Sequence, residues 1–219
     1  MSSPSAAAAA SSSSSSTRPE KKATVTVRLA TVEDANNDVV LGQIHSVINR
    51  AYRSEGGWTT EAHLVKDERI TKDELKEALV DKINPILLAF DSETHEPLGT
   101  LQLEPAEFYP DFGVYSKEGY RCDYVEQLPK DKQILFGLFS VDPAQQSRGI
   151  GRKLVEAGLV YAKESGRKQA LVYVIVQRPE LVGWYKRLGF TDFGEKVPFP
   201  DAGRLKDDDV HFSVLRLAL

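Results

Sequence analysis

Apolar and polar residues alternate over residues 24–29, with Val25, Val27 and Leu29 on one side and Thr26 and Arg28 on the other. A period of two predicts a half-covered strand. The period then lengthens. Thr31, with Asp34 three positions on, has the form of a capping box, and Val39, Ile44, Val47, Ile48 and Tyr52 follow at helical spacing. Thr71 and Glu74 repeat that signal ahead of a short helix whose inward positions are Leu75, Ala78 and Leu79. Residues 85–90 and 98–103 are apolar runs around a polar turn, which predicts a hairpin. Residues 105–132 mix Tyr109, Phe112, Tyr115, Tyr120 and Tyr124 with charges and prolines and keep no period, so they are expected to form an inserted loop or lid.

Residues 134–141 and 171–176 are almost continuously apolar, as strands covered on both faces require. Between them Ile150, Leu154, Gly158, Leu159 and Ala162 form one helical stripe that stops at Gly166. Strand, helix and strand at this spacing predict a parallel pair joined by a right-handed crossover. A helix over 181–188, a short strand over 190–194 and a last strand over 211–217 complete the pattern. The expected fold is a mixed α/β sheet, antiparallel in front and parallel at its centre, with flanking helices.

With 219 residues the chain is expected to hold one domain and a tail. Residues 1–22, mostly Ser and Ala, carry too little to bury and are expected to be disordered, with the domain over 23–219. A net charge of -4 gives no general field for nucleic acid or anionic lipid. No apolar run reaches the ~20 residues that cross a bilayer. Cys122 is the only cysteine, so no intramolecular disulfide forms and a reducing compartment is expected. Cytoplasm, with access to the nucleus, is the default location. His45, His63, His95 and His211 show no metal-ligand spacing, so no metal is expected.

The chemistry concentrates in residues 141–152. A buried strand ends at Val141, and a turn with Gln146, Ser147 and Arg148 opens a helix at Gly149, Ile150, Gly151 and Arg152. Unpaired N–H groups and the positive dipole end make such a helix start an anion site. Glycines let a diphosphate approach the backbone, and Arg148, Arg152 and Lys153 add positive charge. Leu154 occupies the place where a dinucleotide loop needs a small residue, and no Gly-Lys-Ser/Thr is present for a P-loop.

Gln146-x-x-Gly149-x-Gly151 after a buried strand resembles the acetyl-CoA loop of the GNAT (GCN5-related N-acetyltransferase) superfamily. Trp184-Tyr185-Lys186-Arg187-Leu188-Gly189-Phe190 resembles its later Phe-Tyr-x-Lys-x-Gly-Phe element. The likeness is strong over 134–195. Residues 57–62, 178–181 and 198–200 are similar to an uncharacterised small-molecule-type subgroup. The resemblance implies a mostly antiparallel sheet with splayed central parallel strands. It implies acetyl-CoA as co-substrate, a small primary amine as acceptor, and direct transfer without an acyl-enzyme.

It further implies that Phe139, Ser140 and Val141 pair with the pantetheine amides, that the N–H groups from Gln146 to Gly151 hold the diphosphate, and that Val141 N–H stabilises the oxyanion. Gly137 is expected to mark the bulge that parts the two strands. Tyr185 matches the residue that protonates the departing thiolate. Many members have Asn seven positions before it; Arg178 stands there, and with Trp58 is expected to face the substrate. No carboxylate lies in residues 134–141, so Glu61 is the leading candidate for the base, ahead of Glu180 and Tyr173. A protein or peptide N-acetyltransferase and a catalytically silent CoA-binding module are the alternatives, and the chain is expected to be a monomer or homodimer.

Overall fold

The computed structural model describes residues 24–54, 56–108, 128–206 and 210–219. The expected tail, Cys122 and most of the expected lid lie outside the described residues. One seven-stranded sheet runs β1-β2-β3-β4-β5-β7-β6. Its strands are β1 (Val25–Leu29), β2 (Ile86–Asp91), β3 (Pro97–Pro105), β4 (Gln133–Val141), β5 (Gln169–Ile175), β6 (Thr191–Pro198) and β7 (His211–Ala218). Only β4 and β5 are parallel; the other neighbours are antiparallel. The mixed α/β architecture read from the apolar pattern is the one observed.

Among the described residues, five α-helices cover the sheet: α1 (Val32–Asn36), α2 (Asp38–Arg53), α3 (Lys72–Val80), α4 (Ile150–Glu164) and α5 (Pro179–Arg187). Their division between faces follows from the strand period. In β2, Leu87 and Ala89 join a core with Leu154, Val155 and Ala162 of α4 and Tyr185 of α5. Ile86, Leu88 and Phe90 join the opposite core with Leu41, Ile44, Ile48, Leu75 and Leu79 of α2 and α3. Both faces of β2 are apolar because both are covered.

Both capping boxes form, at Thr31 with Asp34 and at Thr71 with Glu74. The first long helix, however, is two. Asn37 ends α1 and starts α2, its Oδ1 accepting from the N–H groups of Val39 and Val40 at 3.1 and 3.2 Å. That break turns Val39 out to 70% exposure, so it does not belong to the buried stripe. The strand expected over 190–194 starts at Thr191 and runs to Pro198, because Phe190 is buried at the end of α5 instead. The second hairpin strand also outruns its apolar signature, continuing past Leu103 through Glu104 to Pro105.

Candidate active site

The sheet opens at its centre. Parallel pairing of β4 with β5 covers Gln133↔Gln169, Ile134↔Ala170 and Leu135↔Leu171 and then stops. Beyond it β4 stays with β3 as far as Gly99↔Val141, and β5 stays with β7 as far as Ile175↔Phe212. Each strand follows its other neighbour, so a gap opens between them. It leads into a cavity of about 650 Å³.

The bulge expected at Gly137 falls one residue later. Leu138 has φ 40, and the β3–β4 register shifts between Thr100 and Gln102. Thr100 closes the irregularity from within, its hydroxyl donating to Leu138 O at 2.6 Å and meeting Ser140 Oγ at 2.8 Å. Gly137 has another task. A Cβ there would lie 1.7 Å from Glu104 Oε1, so the missing side chain is what admits this carboxylate to the cavity wall.

At one end of the cavity the chain turns through Ser147, with φ 65, and Gly149, with φ 79, into α4. No side chain caps this helix, and the N–H groups of Ile150, Gly151 and Arg152 precede its first internal bonds. Around Gly149 nothing lies within 4 Å of an added Cβ, so the turn is open where an anion would sit. Asp142 N–H donates to Leu98 O at 2.9 Å, and the alternation of an antiparallel ladder therefore turns the N–H and C=O of Val141 toward the gap. Gln146 Nε2 reaches that carbonyl at 3.3 Å, and its Oε1 accepts from Trp58 N–H at 2.6 Å. These groups have the polarity that a diphosphate and a pantetheine amide require, so the residues fit acetyl-CoA.

Tyr185 stands beside the gap on α5. It is 3% exposed, packed edge-on against Trp184 and Phe190, with Phe139 next to Trp184. Its hydroxyl makes no hydrogen bond among the described residues, and the side chain lines the cavity. Burial raises its pKa far above the ordinary phenol value; Tyr52 adds to the rise and Arg178 opposes it. Desolvation likewise raises Tyr52, on the last turn of α2, against the pull of Arg69.

Of the site residues expected from sequence, Trp58, Glu61, Phe139, Ser140, Val141, Gln146, Ser147, Gly149, Ile150, Gly151, Arg152, Arg178 and Tyr185 all border this one cavity. Arg148 does not: it lies outside the wall, its guanidinium bonded to Gln145 Oε1. Ser140 turns its hydroxyl into the core. Arg178 is 7% exposed and donates to Glu61 at 2.8 Å and to Thr59 at 3.0 Å. Arg53 takes the other Glu61 oxygen at 3.2 Å. Burial lowers the Arg53 guanidinium despite Glu61, which opposes the shift. Glu61 and Arg178 thus fasten the 58–61 loop between α2 and α5. Neither presents a bare charge to a ligand.

Sequence reasoning missed Glu104 because the search for a carboxylate stopped at the strand that carries the loop. The neighbouring strand β3 supplies one instead, Glu104 standing opposite Leu135 in the β3–β4 register. Tyr52 read only as an apolar stripe position, Phe199 only as part of the 198–200 resemblance, and Arg204 and Phe212 had no local signal, since chain return through β6 and β7 brings them to the cavity.

Comparison with known proteins agrees with this geometry. Residues 104–192 match the acetyltransferase (GNAT) domain family. A 71-residue segment is 32% identical to an uncharacterized N-acetyltransferase of Methanocaldococcus jannaschii, covering 32% of this chain and 31% of that protein. A 59-residue segment is 41% identical to the mycothiol acetyltransferase of Streptosporangium roseum, covering 27% of this chain and 18% of that protein. These matches therefore span less than a third of either relative. The fold matches a putative acetyltransferase of Salmonella typhimurium solved with acetyl-CoA, with TM-score 0.58 at 19% identity, over 90% of this chain and 94% of that one.

Proposed function

We propose that the chain is an acetyltransferase of the GNAT family, whose domain residues 104–192 match, and that it moves the acetyl group of acetyl-CoA onto a small primary amine by direct transfer. The observation that carries this reading is the parting of β4 and β5 after Leu135↔Leu171, with an uncapped helix start at one side of the gap and Tyr185 at another. The first turn of α4, from Gly149 to Arg152, holds the diphosphate through backbone N–H groups. Val141, facing the gap, pairs with the pantetheine arm. Trp58 and the 58–61 loop cover the cleft, anchored by Glu61, Arg178 and Gln146.

At neutral pH an alkyl amine is only about one part in a thousand unprotonated, so the site must first accept a proton. We assign that role to Glu104, which stands against Gly137 on the cavity wall beside the point where β4 and β5 part. The amine nitrogen then bonds to the acetyl carbon, Val141 N–H stabilises the oxyanion, and the carbon–sulfur bond breaks. Burial raises the Tyr185 pKa and so favours the neutral phenol. Tyr185 directs that O–H at the departing sulfur and gives up its proton there; the second proton, shed by the nitrogen as the amide forms, restores the phenol, while Glu104 keeps the first.

The test is steady-state thiol release with acetyl-CoA and a panel of primary amines, alongside the thermal shift produced by acetyl-CoA. Tyr185→Phe is expected to keep the shift and lower kcat by about 10²-fold. Parental turnover in Tyr185→Phe would remove this residue from the mechanism. Absence of any acetyl-CoA shift in the parent protein would remove the transferase reading itself.

A further inference from the structure

Four arginines border the cavity where α2 meets the segments 58–69 and 198–204: Arg53, Arg69, Arg178 and Arg204. Arg53 and Arg178 are occupied by Glu61. The other two are in a different state. Arg69 is fixed at its backbone, where N–H donates to Asn49 Oδ1 at 2.6 Å, and its guanidinium carbon lies 5.2 Å from the centre of the Tyr52 ring. Glu61 and Glu104 act on it through space, yet it makes no ion pair among the described residues. Arg204 donates to the backbone carbonyl of Glu68 and likewise makes no ion pair among the described residues. A guanidinium in a cavity wall that lacks a carboxylate partner presents a planar fork of donors matched to one.

The same cavity has a wall of another kind. Tyr173 of β5, Phe212 of β7 and Phe199 beyond β6 line it, with ring centroids 6.0 Å apart for the first pair and 5.2 Å for the second. Asp201 beside them is exposed and accepts from Gly203 N–H at 3.1 Å, which serves its own turn. Among the described residues, the acceptor end thus offers two cations without ion-pair partners, one proton acceptor and an aromatic face.

We infer that the acceptor is an α-amino acid with a bulky apolar side chain. Arg69 and Arg204 receive its carboxylate, the Tyr173–Phe212–Phe199 wall receives its side chain, and its amino group falls toward Glu104. Amine and carboxylate in such a molecule are separated by one carbon, and Arg69 and Glu104 border the same cavity. A polycationic amine would instead bring like charge against Arg69 and Arg204. This inference rests on the acetyl-transfer reading, so its test carries a binding arm that does not.

Turnover with L-phenylalanine is compared with phenethylamine, the same molecule without the carboxylate, and with spermidine. The parent is expected to favour L-phenylalanine over phenethylamine in kcat/KM by about tenfold to a hundredfold. In Arg69→Met that ratio collapses toward one, and Arg69→Lys restores part of it. An unchanged acetyl-CoA thermal shift in each variant shows that the fold and cofactor end persist. Equal rates for the two aromatic amines in the parent, a preference for spermidine, or an unaltered ratio in Arg69→Met would overturn the inference. If no amine is acetylated, calorimetric titration of the CoA-loaded protein decides. Binding of L-phenylalanine, lost in Arg69→Met and absent for phenethylamine, supports the site while ending the transferase reading; no such preference ends the inference.

Discussion

Replacing Gly137 by alanine adds one methyl group just past the point where β4 and β5 part. Gly137 is not among the positive-φ positions, so the backbone accepts alanine without strain. The new Cβ would lie 1.7 Å from Glu104 Oε1 and 2.8 Å from its carboxyl carbon, against a closest realistic approach of 3.0 Å. The obstacle is the end of a flexible side chain, so the carboxylate swings away by more than about 1.3 Å and the strand stays. Alanine also leaves the unfolded chain less freedom than glycine does, which offsets part of the packing penalty, and net stability changes by about 1 kcal/mol or less. Catalysis is more sensitive, since a misplacement of about 1 Å costs on the order of 10²-fold. Steady-state thiol release should therefore fall about a hundredfold in Gly137→Ala with the acetyl-CoA thermal shift intact. Glu104→Gln should fall by about 10²–10⁴-fold. The double variant should turn over no more slowly than Glu104→Gln, because one variant acts only through the group the other removes. Losses that multiply in the double variant, or a parental rate in Gly137→Ala, would refute the reasoning.

Two further outcomes follow from the same geometry. Gly149→Val, at φ 79, carries a strain of about 1–2 kcal/mol and fills the open turn; it should remove an acetyl-CoA stabilisation of about 2.7 kcal/mol, read by thermal shift at a hundredfold over Kd. Burial pushes the Asp34 carboxyl up, but Arg28 at 2.7 and 2.8 Å and Thr31 N–H outweigh it and hold it below the usual range. Its contribution is present above the unfolded value near pH ~4 and is lost as pH falls through the lower folded value. Asp34→Asn should therefore lower Tm at pH 7 by the equivalent of about 1–2 kcal/mol, and a gap to the parent that stays constant down through pH ~3 would contradict the ion-pair origin.

The cofactor end of the site was legible in the sequence because it is local. A buried strand, a turn with Gln146 and Gly149, and the first residues of one helix are contiguous, so their spacing alone states which backbone groups will be bare. The place of Tyr185 on α5, at the cavity wall, was legible for the same reason, within a short helix followed by Gly189. The rest of the cavity wall is assembled from α2, residues 58–69, β3, β5, residues 198–204 and β7, and no window contains it. Glu61 and Arg178 show the difficulty: each reads as a functional charge by itself, and only their 2.8 Å pairing reveals that they hold each other.

The sequence by itself determined the order of most elements, the caps at Thr31 and Thr71, which strands are covered on both faces and where a helix start leaves N–H groups bare, since each depends on residues within a few turns or one strand. Tertiary structure alone decided the end of the β4–β5 ladder at Leu135↔Leu171, the bulge at Leu138, the entry of Glu104 over Gly137, and the pairing of Arg178 and Arg53 with Glu61. Those outcomes are balances between neighbours far apart in the chain, where one absent side chain or one competing carboxylate fixes the result.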